Sequence, residues 1–193
     1  MAIAEIFGVI GFAALLGVAY KALHKTKKTG SYASSIRSGV WAELKVGASV
    51  GGVTVAISNN FSVTERDNVV EGLNAWTKAS SNLVHYTLDK PDANADIVIT
   101  TGTLGPNQGG WTHIVRDGGE QPKTGMMTGA VITLDTKQVK ESNLAKVASH
   151  EFGHALGIVD HAPKDYDSCM QEGGAGFPAK ADVATLKEIY QWR

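Results

Sequence analysis

The chain has 193 residues, 43% hydrophobic and 19% charged, which is enough apolar material for one ordinary core plus an appendage. A net charge of −1, without a basic stripe interleaved with aromatics, argues against nucleic acid as a partner. The single cysteine, Cys169, excludes an intrachain disulfide and with it the disulfide-scaffold class, while leaving the compartment open.

The first element is an apolar run from Ala2 to Tyr20 whose one charge is Glu5. As a helix it spans roughly 28 Å, close to the hydrocarbon thickness of a bilayer. No Lys or Arg precedes it; Lys21, Lys25, Lys27 and Lys28 follow it, and Gly17-Val18-Ala19 is a weak cleavage signal. Residues 1–22 are therefore expected to be a retained membrane anchor, ahead of a signal segment or a buried core helix. Residues 23–38, polar, basic and Ser/Gly-containing, read as a linker, and residues 39–193 as the folded domain.

Within that domain, Val53, Val55 and Ile57 alternate with polar or small residues, the period of a half-buried strand. A helix is expected from Thr64 as N-cap, with Glu65 and Asp67 in its first turn and Val69, Val70, Leu73, Trp76 and Thr77 on one face. Leu83–Leu88 and Asp96–Thr101 read as strands; unbroken Ile97-Val98-Ile99 suits a central position covered on both faces. Gly102–Gly110 reads as a loop, Gly110–Val115 and Gly129–Asp135 as two more strands, and Ser142–Gly157 as a second helix. Val183, Leu186, Ile189 and Tyr190 mark a C-terminal helix entered after Pro178. This order predicts an α/β (α+β) domain with a mixed sheet.

The chemistry concentrates in His150-Glu151-Phe152-Gly153-His154-Ala155-Leu156-Gly157-Ile158-Val159-Asp160-His161. On a helix, residues four apart share a face, so the imidazoles of His150 and His154 can reach one ion. Zinc suits two imidazoles and a third N or O ligand, with water in the fourth position. Glu151 is placed to take a proton from that water without ligating the metal. Gly157 stands where the helix must stop and the chain turn back. That turn brings Asp160 or His161 towards the ion, and Met170 can form a hydrophobic floor beneath it.

These residues resemble the metzincin zinc peptidases, whose extended motif is H-E-x-x-H-x-x-G-x-x-(H or D) followed by a Met-turn. The pattern is similar to the snapalysin family of small bacterial neutral proteases, which carry Asp at the third ligand position and a His directly after it. The resemblance implies a metzincin-like fold, with a twisted mixed sheet, an active-site helix and a C-terminal helix. It makes His150, His154 and Asp160 the zinc ligands, Glu151 the general base and Met170 the Met-turn residue. His161 is the rival third ligand, since imidazole is the commoner zinc ligand in general. The resemblance further implies that Gly110–Val115 is an edge strand against which an extended peptide substrate pairs antiparallel.

The chain departs from the family at three points. Cys169 has no partner for the disulfide that snapalysins keep near the Met-turn. Glu172 stands where some metzincins place a Tyr, two residues after Met170. Tyr166 reads as a packing residue ahead of an oxyanion-side donor. His85 and His113 read as surface or hydrogen-bonded residues, His24 as solvated, and Cys169 as a small packed residue. The expected function is zinc-dependent endopeptidase acting on peptide or protein. The alternatives are a membrane-anchored structural protein of a virus particle or envelope complex that retains the scaffold, and a peptidoglycan cross-link peptidase. Localisation is expected at a membrane through residues 2–20, or secreted. The Lys-rich flank points to the cytoplasmic side and the family resemblance to export.

Overall fold

A computed structural model describes residues 27–32, 40–41, 52–89, 95–116, 126–173 and 176–191. The expected apolar helix at residues 2–20 lies outside these. Among the described residues no helix is long and apolar enough to cross a membrane.

Among the described residues nine elements follow one another: β1 (Val40–Trp41), β2 (Val53–Ile57), α1 (Val63–Ala79), β3 (Tyr86–Asp89), β4 (Ile97–Thr101), β5 (Gly110–Arg116), β6 (Met126–Leu134), α2 (Glu141–Ala155) and α3 (Lys180–Tyr190). The strands form one mixed sheet. β3, β2, β4 and β6 pair in parallel in that order, β1 joins the start of β6 in parallel, and β5 pairs antiparallel with β6. β5 is an edge strand of this sheet, as expected for residues 110–115.

In β2 the expected inward residues Val53, Val55 and Ile57 are fully buried, but Ala56 is buried as well, so the strand is covered more than the half-buried alternation implies. β4 is central, paired on both edges, but only Ile97 and Ile99 are fully buried while Val98 is half-buried. The double coverage expected of this run is thus only partial. The inward residues of β2, β4 and β6 join Val69, Leu73 and Trp76 of α1 and Leu144, Ala148 and Phe152 of α2 in one core. Each large apolar side chain buried there contributes about 1.5–3 kcal/mol.

Element boundaries moved where local hydrogen bonding decided them. α1 is capped by Ser62, not Thr64: the Ser62 hydroxyl accepts from the Glu65 N–H at 3.2 Å, and the Glu65 carboxylate accepts from the Ser62 N–H at 2.8 Å. This reciprocal box satisfies two otherwise unpaired donors. β3 starts at Tyr86 and not at Leu83, because Ser81 and Asn82 adopt left-handed φ values of 53° and 65° in the preceding turn. β6 begins three residues earlier than expected, at Met126.

α1 and α2 cross closely at small residues. A Cβ on Gly72 would collide with the Ala145 carbonyl and lie 2.9 Å from the Ser149 nitrogen. The Trp76 indole N–H donates to the Ser149 carbonyl at 2.7 Å and ties the two helices together.

Residues 27–32, within the stretch read as a linker, dock on the domain. Lys28 N–H donates to the Asp165 carbonyl at 2.7 Å, Asp167 N–H returns a bond to the Lys28 carbonyl at 2.8 Å, and the Lys28 ammonium pairs with Asp165 at 2.8 Å. Tyr32 is buried, and its hydroxyl donates to Asp182 at 2.6 Å.

Candidate metal centre

The C-terminal end of α2 explains why the site can exist. The last carbonyls of a helix lack intrahelical donors, and here each finds one. Phe152 O accepts from Leu156 N–H at 2.8 Å, Gly153 O from Ile158 N–H at 3.1 Å, and His154 O from Gly157 N–H at 2.9 Å. Ala155 O accepts from the Trp41 indole and Leu156 O from the Tyr190 hydroxyl, both at 2.7 Å. The Gly157 and Ile158 bonds form a Schellman turn, with Gly157 at φ 107°, a conformation that a Cβ would strain. The helix accordingly ends at Ala155, two residues short of the expected Gly157.

This turn also aims a side chain. It presents the Ile158 carbonyl to His154 Nδ1 at 2.6 Å, while the Cys169 carbonyl meets His150 Nδ1 at 2.7 Å. A carbonyl oxygen only accepts, so both Nδ1 atoms carry the proton and both Nε2 atoms present lone pairs. Those two Nε2 atoms lie 3.2 Å apart. Burial lowers the pKa of both rings, His154 to about 4, so the neutral forms prevail and the two lone pairs repel unless a cation lies between them. Two nitrogens each about 2.0–2.1 Å from a tetrahedral ion would lie roughly 3.3 Å apart. The donor set fits zinc.

The third imidazole is His161. His150, His154 and His161 form a group able to hold a metal ion, with one ligand nitrogen from each lying within 4.8 Å of the others. The His161 ring stacks on that of His150 at 5.2 Å between centroids and meets His154 edge-on at 5.3 Å. Asp160 is exposed and does not belong to the group. Of the two candidates after the glycine turn, the fold brings the imidazole to the site and not the carboxylate.

Glu151 is buried beside this cluster, and Thr112 of β5 donates to its carboxylate at 2.6 Å. Burial raises the Glu151 pKa, against the opposing effects of the Thr112 hydroxyl and His161. Gly110, the first residue of β5, makes room for it: a Cβ there would lie 2.5 Å from Glu151 Cγ. Gly153 does the same on the inner face of α2, where a Cβ would collide with Met170 Sδ and stand 2.6 Å from Trp76. Met170 is fully buried against this face, where the expected floor would be.

The turn carrying Met170 is itself held by Asp182, the third residue of α3. Its carboxylate accepts from Tyr32 and Ser168 hydroxyls, from Cys169 N–H at 3.0 Å and from Ala179 N–H at 2.8 Å. Cys169 is buried, and burial pushes its thiol well above the ordinary range, which suits a packed residue and not a switch. Tyr166 packs edge-on against Tyr32 at 5.4 Å and beneath the Lys28 ammonium, a packing role. His85 and His113 are exposed and outside the metal group; His24 lies outside the described residues.

Thr112, Gly110 and the Tyr32–Asp182 pair escape a reading of sequence alone. A threonine and a glycine in a strand carry no chemical signature, and Tyr32 meets Asp182 across 150 positions. Around the cluster opens a cleft of about 730 Å³, bounded on one side by β5 and on the other by α2. A scan against protein-family models and a search of curated proteins return no match to this chain, so the family resemblance stands on these residues alone.

Proposed function

We propose that the chain is a zinc-dependent endopeptidase of the metzincin type. The observation that carries this reading is the convergence of two Nδ1-anchored imidazoles and a third histidine beside a buried glutamate, at the foot of an open edge strand. His150, His154 and His161 would hold the ion, with Asp160 left to solvent. Bound zinc supplies Lewis acidity, acidifying water and polarising a carbonyl.

The protein's own groups do the rest. Glu151 accepts the proton of the attacking water, and its burial makes it a better base than an ordinary carboxylate. The same carboxyl then returns the proton to the leaving amine. Thr112 holds one carboxylate oxygen and fixes the orientation of the other. The edge of β5 that pairs with no other strand among the described residues binds an extended peptide through its backbone, so that the scissile bond lies beside Glu151. Met170 and Trp76 support the inner face of α2 and keep the imidazoles in place.

The test is Glu151→Gln in the full chain, with zinc content and casein hydrolysis measured together. Zinc is expected to stay bound while cleavage falls by about 10²–10⁴-fold, the contribution of a general base. Undiminished cleavage would remove Glu151 from this role.

A further inference from the structure

The cleft continues past the three histidines along α2. Asn143, Lys146, Val147, His150, Glu151 and His154 recur at three- and four-residue steps, so one face of the helix lines it. Lys146 stands about 6 Å before His150 along the axis and Lys140 about 15 Å before it. An extended peptide advances about 3.3 Å per residue, which places the two lysines roughly two and five residues from the reacting bond.

Strand direction decides which half of a substrate reaches them. β5 begins at Gly110, against Glu151, and runs to Arg116. A peptide antiparallel to it carries its C-terminal half back over Gly109. A Cβ on Gly109 would lie 2.7 Å from Val139 and 3.7 Å from Val147, so this is the lysine end of the cleft. The residues after the scissile bond therefore face Lys146 and then Lys140.

That end carries positive charge. Among the described residues, the charged side chains lining the cleft are Lys140, Lys146, Glu151 and Glu172; Glu172 lies with His161, and the two lysines precede Glu151 on the α2 side. Neither lysine forms an ion pair among the described residues. The Asp135 carboxylate, ionised and held by the backbone N–H groups of Leu104, Lys137 and Gln138, pairs with neither lysine. Lys140 also occupies the N-cap of α2 without a side-chain capping bond, where the helix dipole disfavours a cation, so its position does not serve helix stability.

We infer that the leaving-group side of the cleft is a subsite for acidic side chains, and that the preferred substrates carry Asp or Glu about two to five residues after the cleaved bond. This rests on the peptidase reading and its antiparallel substrate. Coulomb attraction to two exposed or half-exposed lysines gives a preference that weakens with salt.

The experiment uses zinc-loaded full chain bearing Glu151→Gln and fluorescent peptides differing only in their C-terminal half, which carries two Glu, two Gln or two Lys. Anisotropy is read at about 0.05 M and about 0.5 M salt. The Glu peptide is expected to bind about tenfold tighter than the Gln peptide at low salt, with the difference shrinking at high salt. Adding Lys140→Glu and Lys146→Glu, with the fold checked by circular dichroism, should turn the preference towards the Lys peptide. Equal binding of all three peptides, or a Glu preference that survives charge reversal, overturns the subsite. Turnover of the same peptides by the parent chain separates the two claims. Preferential binding without any cleavage removes the peptidase and leaves the acidic subsite; cleavage indifferent to charge does the reverse.

Discussion

The two halves of the candidate centre are built differently. His150 and His154 sit on α2, each with Nδ1 anchored to a backbone carbonyl and with every C-terminal carbonyl of the helix engaged. His161 lies on an exposed loop, and no hydrogen bond fixes its ring among the described residues. Its placement comes from the chain path instead: the Schellman turn at Gly157 before it, and the bond from Ala162 N–H to Met170 O at 2.8 Å after it. The helical half is preorganised and the loop half completes it. A ligand pair with fixed tautomers would set the geometry, and a less constrained third group would adapt to an ion held there.

Removing the histidines one at a time should have the largest effect. His154→Ala and His161→Ala are each expected to weaken zinc binding by more than about 100-fold, beyond the range of outer-shell changes. Asp160→Asn should change it by less than about threefold, as an exposed side chain outside the centre. Competition with a chromogenic chelator reads all three. Zinc lost in Asp160→Asn but kept in His161→Ala would exchange their roles.

Acid should act next most strongly, on the metal-free protein. The His154 pKa falls from 6.5 to about 4 on folding, so between these values the unfolded chain binds more protons. Its contribution is complete above pH 6.5 and is lost as pH falls towards 4, about 3 kcal/mol in all. Glu151, shifted upward, acts in the opposite sense. The comparison of urea midpoints at neutral and acid pH between the chain and His154→Gln isolates the histidine; identical slopes would deny the shift.

Substitutions behind the helix should cost less. Gly153→Ala places a methyl group against Met170 and Trp76, for an expected loss of about 1–3 kcal/mol of stability together with weaker zinc binding. Loss of stability alone would mean that Met170 packs there without supporting the ligands. Tyr32→Phe removes one donor from buried Asp182 and should cost about 1–2 kcal/mol in chemical denaturation. An unchanged midpoint would show that the Tyr32 hydroxyl adds nothing to the stability of the domain.

The same contrast marks what could be read from the sequence. The positions of His150, Glu151 and His154 on one helix follow from the helical period alone, and Gly157 from the need for positive φ. The alternation in β2 and the apolar face of α1 placed Val53, Val55, Ile57, Val69, Leu73 and Trp76 in the core, whereas Val70 and Thr77 are half-buried and Ala56 is buried against expectation. The choice between Asp160 and His161 stayed open, because adjacent loop residues point according to contacts made with the distant Met170 turn. The Thr112–Glu151 bond spans 39 positions and leaves no local pattern. The segment around Lys28 and Tyr32 has the composition of a linker, yet it is held by partners near the other end of the chain.

The most direct test of the central claim is to titrate the metal-free full chain with zinc while following hydrolysis of an internally quenched peptide. No cleavage is expected without metal, and a rise that saturates at one equivalent of zinc per chain. Cleavage indifferent to zinc, or one tightly bound equivalent without cleavage of any peptide, would contradict it.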